Sequence, residues 1–186
     1  MAIYHIQDDS DKIIRLLPDK KLFIMDLYNT MVLISKPFSF DDALNARDFL
    51  GDDALKLYST TQSHHTIRDG TIDFLRFWKQ KKVIFTDADE KDAISDMKRI
   101  GVFDYFSHIY SKKDLTDYGK DYARIPQLHG FSVDETIVIE DLDLRCDLDS
   151  FGIDMVVIPT IDSGNIIDLY KDIIQNYRHS FYGLIP

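Results

Sequence analysis

The stretch KLFIMDLYNTMVL, residues 21–33, decides the fold. Leu22, Phe23, Ile24 and Met25 form a short apolar run bounded by polar residues, the pattern of a strand buried on both faces. The run ends on a carboxylate, Asp26, followed by the polar residues Asn29 and Thr30. In open parallel sheets the ligand crevice lies just beyond the carboxyl ends of the strands, so Asp26 stands where a substrate would arrive. Asp and Asn are also turn formers, and a role in capping the following turn is the simpler alternative for Asp26.

Working outward, the same pattern recurs. Residues 82–85 are a second apolar run that ends in Thr86-Asp87-Ala88-Asp89, and residues 136–139 are a third that ends in Glu140-Asp141. A fourth, residues 155–158, stops at Pro159. Helical patterns lie between them. Residues 8–17 are amphipathic and halted by Pro18; residues 71–80 follow the turn Arg68-Asp69-Gly70 and place Ile72, Phe74, Leu75 and Trp78 inward. Residues 90–100 form a helix closed by Gly101, where a C-terminal cap belongs. Residues 122–128 give a short helix and residues 165–177 an amphipathic one. Residues 34–40, with Pro37, read as irregular, and residues 40–58 carry helical spacing broken near Gly51. Residues 103–110 read as a packed turn and short strand, with Phe103, Tyr105 and Phe106 as core. Strands alternating with helices call for an α/β fold, a mainly parallel sheet with helices on both faces.

Composition narrows the function. At 186 residues the chain fits one domain, residues 1–186, with a small insertion or flap at about 34–66. The hydrophobic and charged fractions, 45% and 29%, are those of a globular protein, and no apolar run approaches the roughly 20 residues needed to cross a bilayer. Asp8, Asp9, Asp11 and Lys12 interrupt the first 18 residues, which rules out a signal-peptide core there; a cytosolic location is expected. The single cysteine, Cys146, excludes an internal disulfide framework and a cysteine-rich zinc site, and reads as a small packing residue. A net charge of −10 disfavours nucleic acid as a partner.

Asp26, Thr86 and Glu140-Asp141 end separate strands, and Lys120, just after Gly119, precedes the third. Parallel neighbouring strands would gather all of them at one edge. Clustered carboxylates repel one another, and a hard divalent cation such as Mg²⁺ is the natural relief. That cation would hold a phosphoryl oxygen beside Asp26, while Thr86 donates a hydrogen bond and Lys120 neutralises the incoming charge. Asp26 could then attack phosphorus, forming an aspartyl phosphate that water hydrolyses. Lys112 and Lys113 are rivals of Lys120 that read as solvated. His64 and His65 lie in the flap interval and read as surface residues.

Asp26-Leu27-Tyr28-Asn29-Thr30, Thr86, Lys120 and Glu140-Asp141, in this order and each placed as above, resemble the four motifs of the haloacid dehalogenase-like hydrolase superfamily. The match spans about residues 21–159. The short interval between the first two motifs is similar to capless magnesium-dependent phosphatases and to protein phosphatases related to the RNA polymerase C-terminal-domain phosphatase. Thr71-Ile72-Asp73-Phe74-Leu75 and Gly119-Lys120-Asp121 are similar to that group too. The resemblance implies a Rossmann-like three-layer sandwich with the cap absent or minimal. It implies Asp26 as nucleophile and metal ligand, with the Tyr28 carbonyl and the Asp141 side chain completing the protein's share of the Mg²⁺ sphere. Glu140 or Asp143 could assist through water, and Asp147 is a weaker candidate. The implied substrate is a phosphorylated small molecule or protein.

One departure bears on mechanism. Tyr28 occupies the place where phosphatases of the superfamily usually carry a second Asp, the general acid and base. Tyrosine there is similar to the dehalogenases, whose leaving halide needs no proton and which use no metal. Two alternatives therefore stand beside the phosphatase: a catalytically inactive phosphate- or partner-binding protein of this fold, and a metal-independent dehalogenase-type hydrolase. Tyr28 has two readings, as a catalytic-site residue and as filler beneath a degenerate site.

Overall fold

The computed structural model describes residues 2–35, 64–117, 119–141, 152–158 and 184–185. In chain order these form β1 (Ile3–His5), α1 (Ile6–Leu16), β2 (Leu22–Met25), β3 (Val32–Ser35), β4 (His64–Ile67) and α2 (Thr71–Phe77). There follow β5 (Lys81–Phe85), α3 (Glu90–Arg99), β6 (His108–Tyr110), α4 (Arg124–Leu128), β7 (Thr136–Glu140) and β8 (Asp154–Val157). Six strands make one sheet in the order β1-β8-β7-β2-β5-β6, with every pair parallel. The fold is α/β, as the alternating apolar runs require.

β2 lies inside the sheet because its side chains are apolar on both faces. Phe23 and Met25 join one core cluster, with Ile13 and Leu17 before it, Phe74 and Leu75 of α2, and Ala93 and Met97 of α3. Leu22 and Ile24 join the other, with Tyr122, Ile125 and Val138. Alternate residues of a strand point to opposite faces, so a strand with core on both sides needs an unbroken apolar run. Met25 is in register with Ile139 of β7 and Ile84 of β5. That register brings the ends of the three predicted strands to one edge.

Several elements differ from expectation. α2 stops at Phe77 rather than residue 80: Trp78 turns extended, its ring is buried, and its indole N–H donates to the Leu184 carbonyl at 3.0 Å. Trp78 is the C-cap, its own N–H still donating to Phe74 O at 3.1 Å, while the bond to Leu184 fixes its indole in the core. α1 begins at Ile6, and Pro18 lies in a short 3₁₀ turn, Leu17–Asp19, rather than marking an abrupt stop. β1 was not anticipated; among the described residues its three residues pair with β8 alone, too short a run to show a period. Residues 32–35, partly read as irregular, pair antiparallel with β4 to make a separate two-stranded ribbon at the two ends of the flap interval. The helical patterns at 40–58 and 165–177 lie outside the described residues. No helix among the described residues is long and apolar enough to cross a membrane.

Candidate active site

The edge where β2, β5 and β7 end opens into a cleft of about 280 Å³. Asp26, Tyr28, Asn29, Thr86, Asp87, Ala88, Lys120, Glu140 and Asp141 line it, so all the described residues singled out from sequence for the site converge there. Asp143, Cys146 and Asp147 lie outside the described residues.

Asp26 is 5% exposed, and its backbone N–H donates to Ile139 O at 2.9 Å, continuing the β2–β7 ladder one residue past β2. Glu140 is the last residue of β7 itself and 2% exposed. Between them reaches Lys120, whose Nζ lies 2.6 Å from Asp26 Oδ1 and 3.3 and 3.2 Å from the two Glu140 oxygens. Gly119, at φ +97°, ends the tight turn closed by the Thr116–Gly119 backbone pair and sets Lys120 at the cleft. A side chain at Gly119 would strain that backbone.

Tyr122 is a site residue that sequence reasoning passed over. Its buried hydroxyl donates to Glu140 Oε2 at 2.6 Å. Only its spacing two residues after Lys120 hints at this, and that signal is weak without the fold.

Removal from water dominates the electrostatics of the cluster. Burial pushes Asp26 up to about 6 although Lys120 opposes the shift, and Asp141 adds to it. Burial also pushes Glu140 up to about 8, with Asp26 reinforcing it and Lys120 and Tyr122 opposing. For Lys120 burial acts downward, but Asp26 and Glu140 outweigh it and hold the ammonium above its ordinary value. The buried acids thus resist ionisation, and the buried lysine resists loss of its proton.

The donor set fits a hard divalent cation. One carboxylate oxygen from each of Asp26, Glu140 and Asp141 lies within 4.8 Å of the others, and all are hard oxygen ligands. Thr86, 1% exposed, sits across the cleft at the end of β5, and its hydroxyl accepts the Ala88 N–H at 3.3 Å.

The loop after Asp26 is braced from the ribbon. Asn29 takes the left-handed conformation at φ +61°, which Asn tolerates better than most side chains. Arg68, just beyond β4, donates to the carbonyls of Asn29 and Thr30. The turn signal at Arg68 thus also supports the loop.

The Tyr28 hydroxyl donates to Asp96 of α3 at 2.7 Å, and Asp96 is not among the residues lining the cleft. His65 Nδ1 lies 2.6 Å from the same carboxylate, Arg99 donates to its other oxygen at 2.9 Å, and the Tyr28 and His65 rings meet edge-on with centroids 5.6 Å apart. Burial acts to raise Asp96, but the bonds from Arg99, Tyr28 and His65 prevail and hold it below the ordinary carboxylate value. Burial, with Asp96 adding to it, pushes the Tyr28 phenol well up. His65, expected at the surface, is half-buried and tied to α3 because Asp96 comes to it from 31 residues away.

No protein-family model matches the sequence, and no curated protein matches it. Solved structures do match in shape. A HAD-superfamily hydrolase of subfamily IA from Geobacter sulfurreducens superposes with a TM-score of 0.57 at 13% identity, covering 75% of this chain and 87% of that one. The RNA polymerase II CTD phosphatase Fcp1 of fission yeast gives 0.51 at 15% identity, over 91% of this chain and 53% of its own. The L-2-haloacid dehalogenase of Xanthobacter autotrophicus gives 0.51 at 12%, over 75% and 77%. The chain has the haloacid dehalogenase-like fold. Phosphatase and dehalogenase share that fold, so the choice of chemistry rests on the site.

Proposed function

We propose that the protein is a Mg²⁺-dependent phosphomonoester hydrolase acting through a phosphorylated Asp26. The observation that carries this reading is the approach of Asp26, Glu140 and Asp141 within 4.8 Å of one another at a cleft that also receives Lys120. Asp26, Asp141 and the Tyr28 carbonyl would hold the cation, with Glu140 assisting. When bound, Mg²⁺ supplies positive charge that keeps the carboxylates ionised and draws electrons from a phosphoryl oxygen.

The remaining work falls to the chain's own side chains. Asp26 presents the nucleophilic oxygen from a rigid strand end. Lys120 stabilises its ionised form and offers charge to an incoming phosphoryl group, and the Thr86 hydroxyl offers that group a hydrogen bond. Tyr122 fixes Glu140, which keeps Lys120 aimed between the two acids. The open cleft is compatible with a phosphorylated small molecule or a phosphorylated protein.

The bond from Tyr28 to Asp96 favours a second reading, a phosphate-binding protein without turnover, because it engages the hydroxyl at the place of the missing acid. One experiment separates them. An aryl phosphate should be hydrolysed only with Mg²⁺, and Asp26→Asn should abolish the activity. Mg²⁺ binding with no turnover would support the binding protein, and chloride release from a 2-haloacid without metal would support the dehalogenase-type hydrolase.

A further inference from the structure

We infer that Asp96, outside the cleft, is a positioning residue for its cation: by gathering the Tyr28 side chain and His65 of β4 at one carboxylate, it fixes the loop whose Tyr28 carbonyl would join the Mg²⁺ sphere. The inference rests on the cation reading above and adds to it a residue that touches neither metal nor substrate.

Tyr28 is held from both its side chain and its backbone. Its hydroxyl donates to Asp96 Oδ2 at 2.7 Å, its ring meets that of His65 edge-on, and its backbone forms a bridge with Val32. In that bridge the Val32 N–H donates to Leu27 O at 2.8 Å and the Asn29 N–H donates to Val32 O at 2.7 Å. The Asn29 N–H and the Tyr28 carbonyl belong to one planar trans peptide unit and point opposite ways, so the bond to Val32 turns the carbonyl away from β3. Tyr28 lines the cleft and Asp96 does not, so the tyrosine reaches from the cleft to an anchor behind it.

That anchor is stiff. Asp96 belongs to α3, whose Ala93 and Met97 are fully buried in the core. His65 Nδ1 lies 2.6 Å from the oxygen that Tyr28 uses. Arg99, three residues on from Asp96, donates to the other oxygen at 2.9 Å and to the His65 carbonyl at 3.2 Å. One carboxylate thus ties together the loop after Asp26, the ribbon and α3. A carbonyl already held in place loses little backbone freedom when a cation binds, whereas ordering a free one opposes binding. Groups that orient a metal ligand from behind ordinarily carry about 10–100-fold in metal affinity.

The test measures the Kd of the full chain for Mg²⁺ by isothermal titration calorimetry, with urea-unfolding midpoints alongside. Asp96→Ala should raise Kd about 10–100-fold. Tyr28→Phe, which removes only the hydroxyl, should raise it in the same direction, and Asp96→Asn, which keeps an acceptor for that hydroxyl, should fall between Asp96→Ala and the unaltered protein. Leu184→Ala, which opens the core around Trp78, should lower the midpoint and leave Kd unchanged. Tyr28→Phe decides the matter alone if Asp96→Ala does not fold. Mg²⁺ binding by the unaltered protein with the same Kd in Tyr28→Phe, or an equal rise in Leu184→Ala, would overturn the inference and leave the cation reading intact. No Mg²⁺ binding by the unaltered protein would overturn both.

Discussion

Lys120 holds the charge balance of the cleft. Its side chain is 8% exposed beside those of Asp26 and Glu140, whose side chains alone are 7% and 3% exposed, and buried charges persist only when they face one another. Without divalent cation, Lys120→Met should cost about 3–5 kcal/mol near pH 8 and much less near pH 5, measured by urea unfolding. The sign follows from the acids: folded values of about 6 for Asp26 and about 8 for Glu140 lie above those of exposed carboxyls. Ionising them therefore opposes folding increasingly as pH climbs from about 4 to about 8, and protonating them removes the need for Lys120. A pH-independent cost would contradict this account. A Mg²⁺ ion held as proposed would need the acids ionised, so it should raise Tm more near pH 8 than near pH 5.5. Equal shifts, or none, would count against a cation site here. Asp26, Thr86 and Lys120 were legible as candidates because each sits at a strand end or beside a glycine turn. Tyr122 was not, since its partner Glu140 lies 18 residues on.

At the scale of the element, α3 shows what local sequence can and cannot say. Its end was readable: Gly101 at φ +78° follows the cap residue Ile100, the Gly101 N–H donates to Lys98 O at 3.2 Å, and the Val102 N–H donates to Met97 O at 2.9 Å. That is a Schellman closure. A Cβ at Gly101 would meet nothing within 4 Å, so Gly101→Ala should cost only the left-handed backbone penalty, about 1–2 kcal/mol by urea unfolding. A much larger loss would mean the space is not open. The use of α3 as an anchor for Tyr28 and His65 was not readable, because those partners lie 68 and 31 residues from Asp96. A double-mutant cycle of Asp96→Ala with Tyr28→Phe should return a coupling of about 1 kcal/mol. Zero coupling would show that the hydroxyl spends its time elsewhere.

For the whole molecule, the sole tryptophan reports how a distant segment completes the core. Leu184 is fully buried in the cluster that contains Trp78 and accepts its indole N–H. Leu184→Ala should therefore cost about 2–5 kcal/mol and shift Trp78 emission to the red, read by fluorescence-monitored unfolding. An unchanged spectrum and midpoint would refute that packing. The sequence alone determined the α/β layering and the edge at which the polar groups collect, because short apolar runs ending in Asp26, Thr86 and Glu140 can be satisfied only as strands with core on both faces. Only the tertiary structure decided the strand order that makes β5, β2 and β7 neighbours, the antiparallel ribbon beside the cleft, and the commitment of the Tyr28 hydroxyl to Asp96. Burial pattern is a local property written in successive residues, whereas partners far apart in the chain meet only after the sheet has formed.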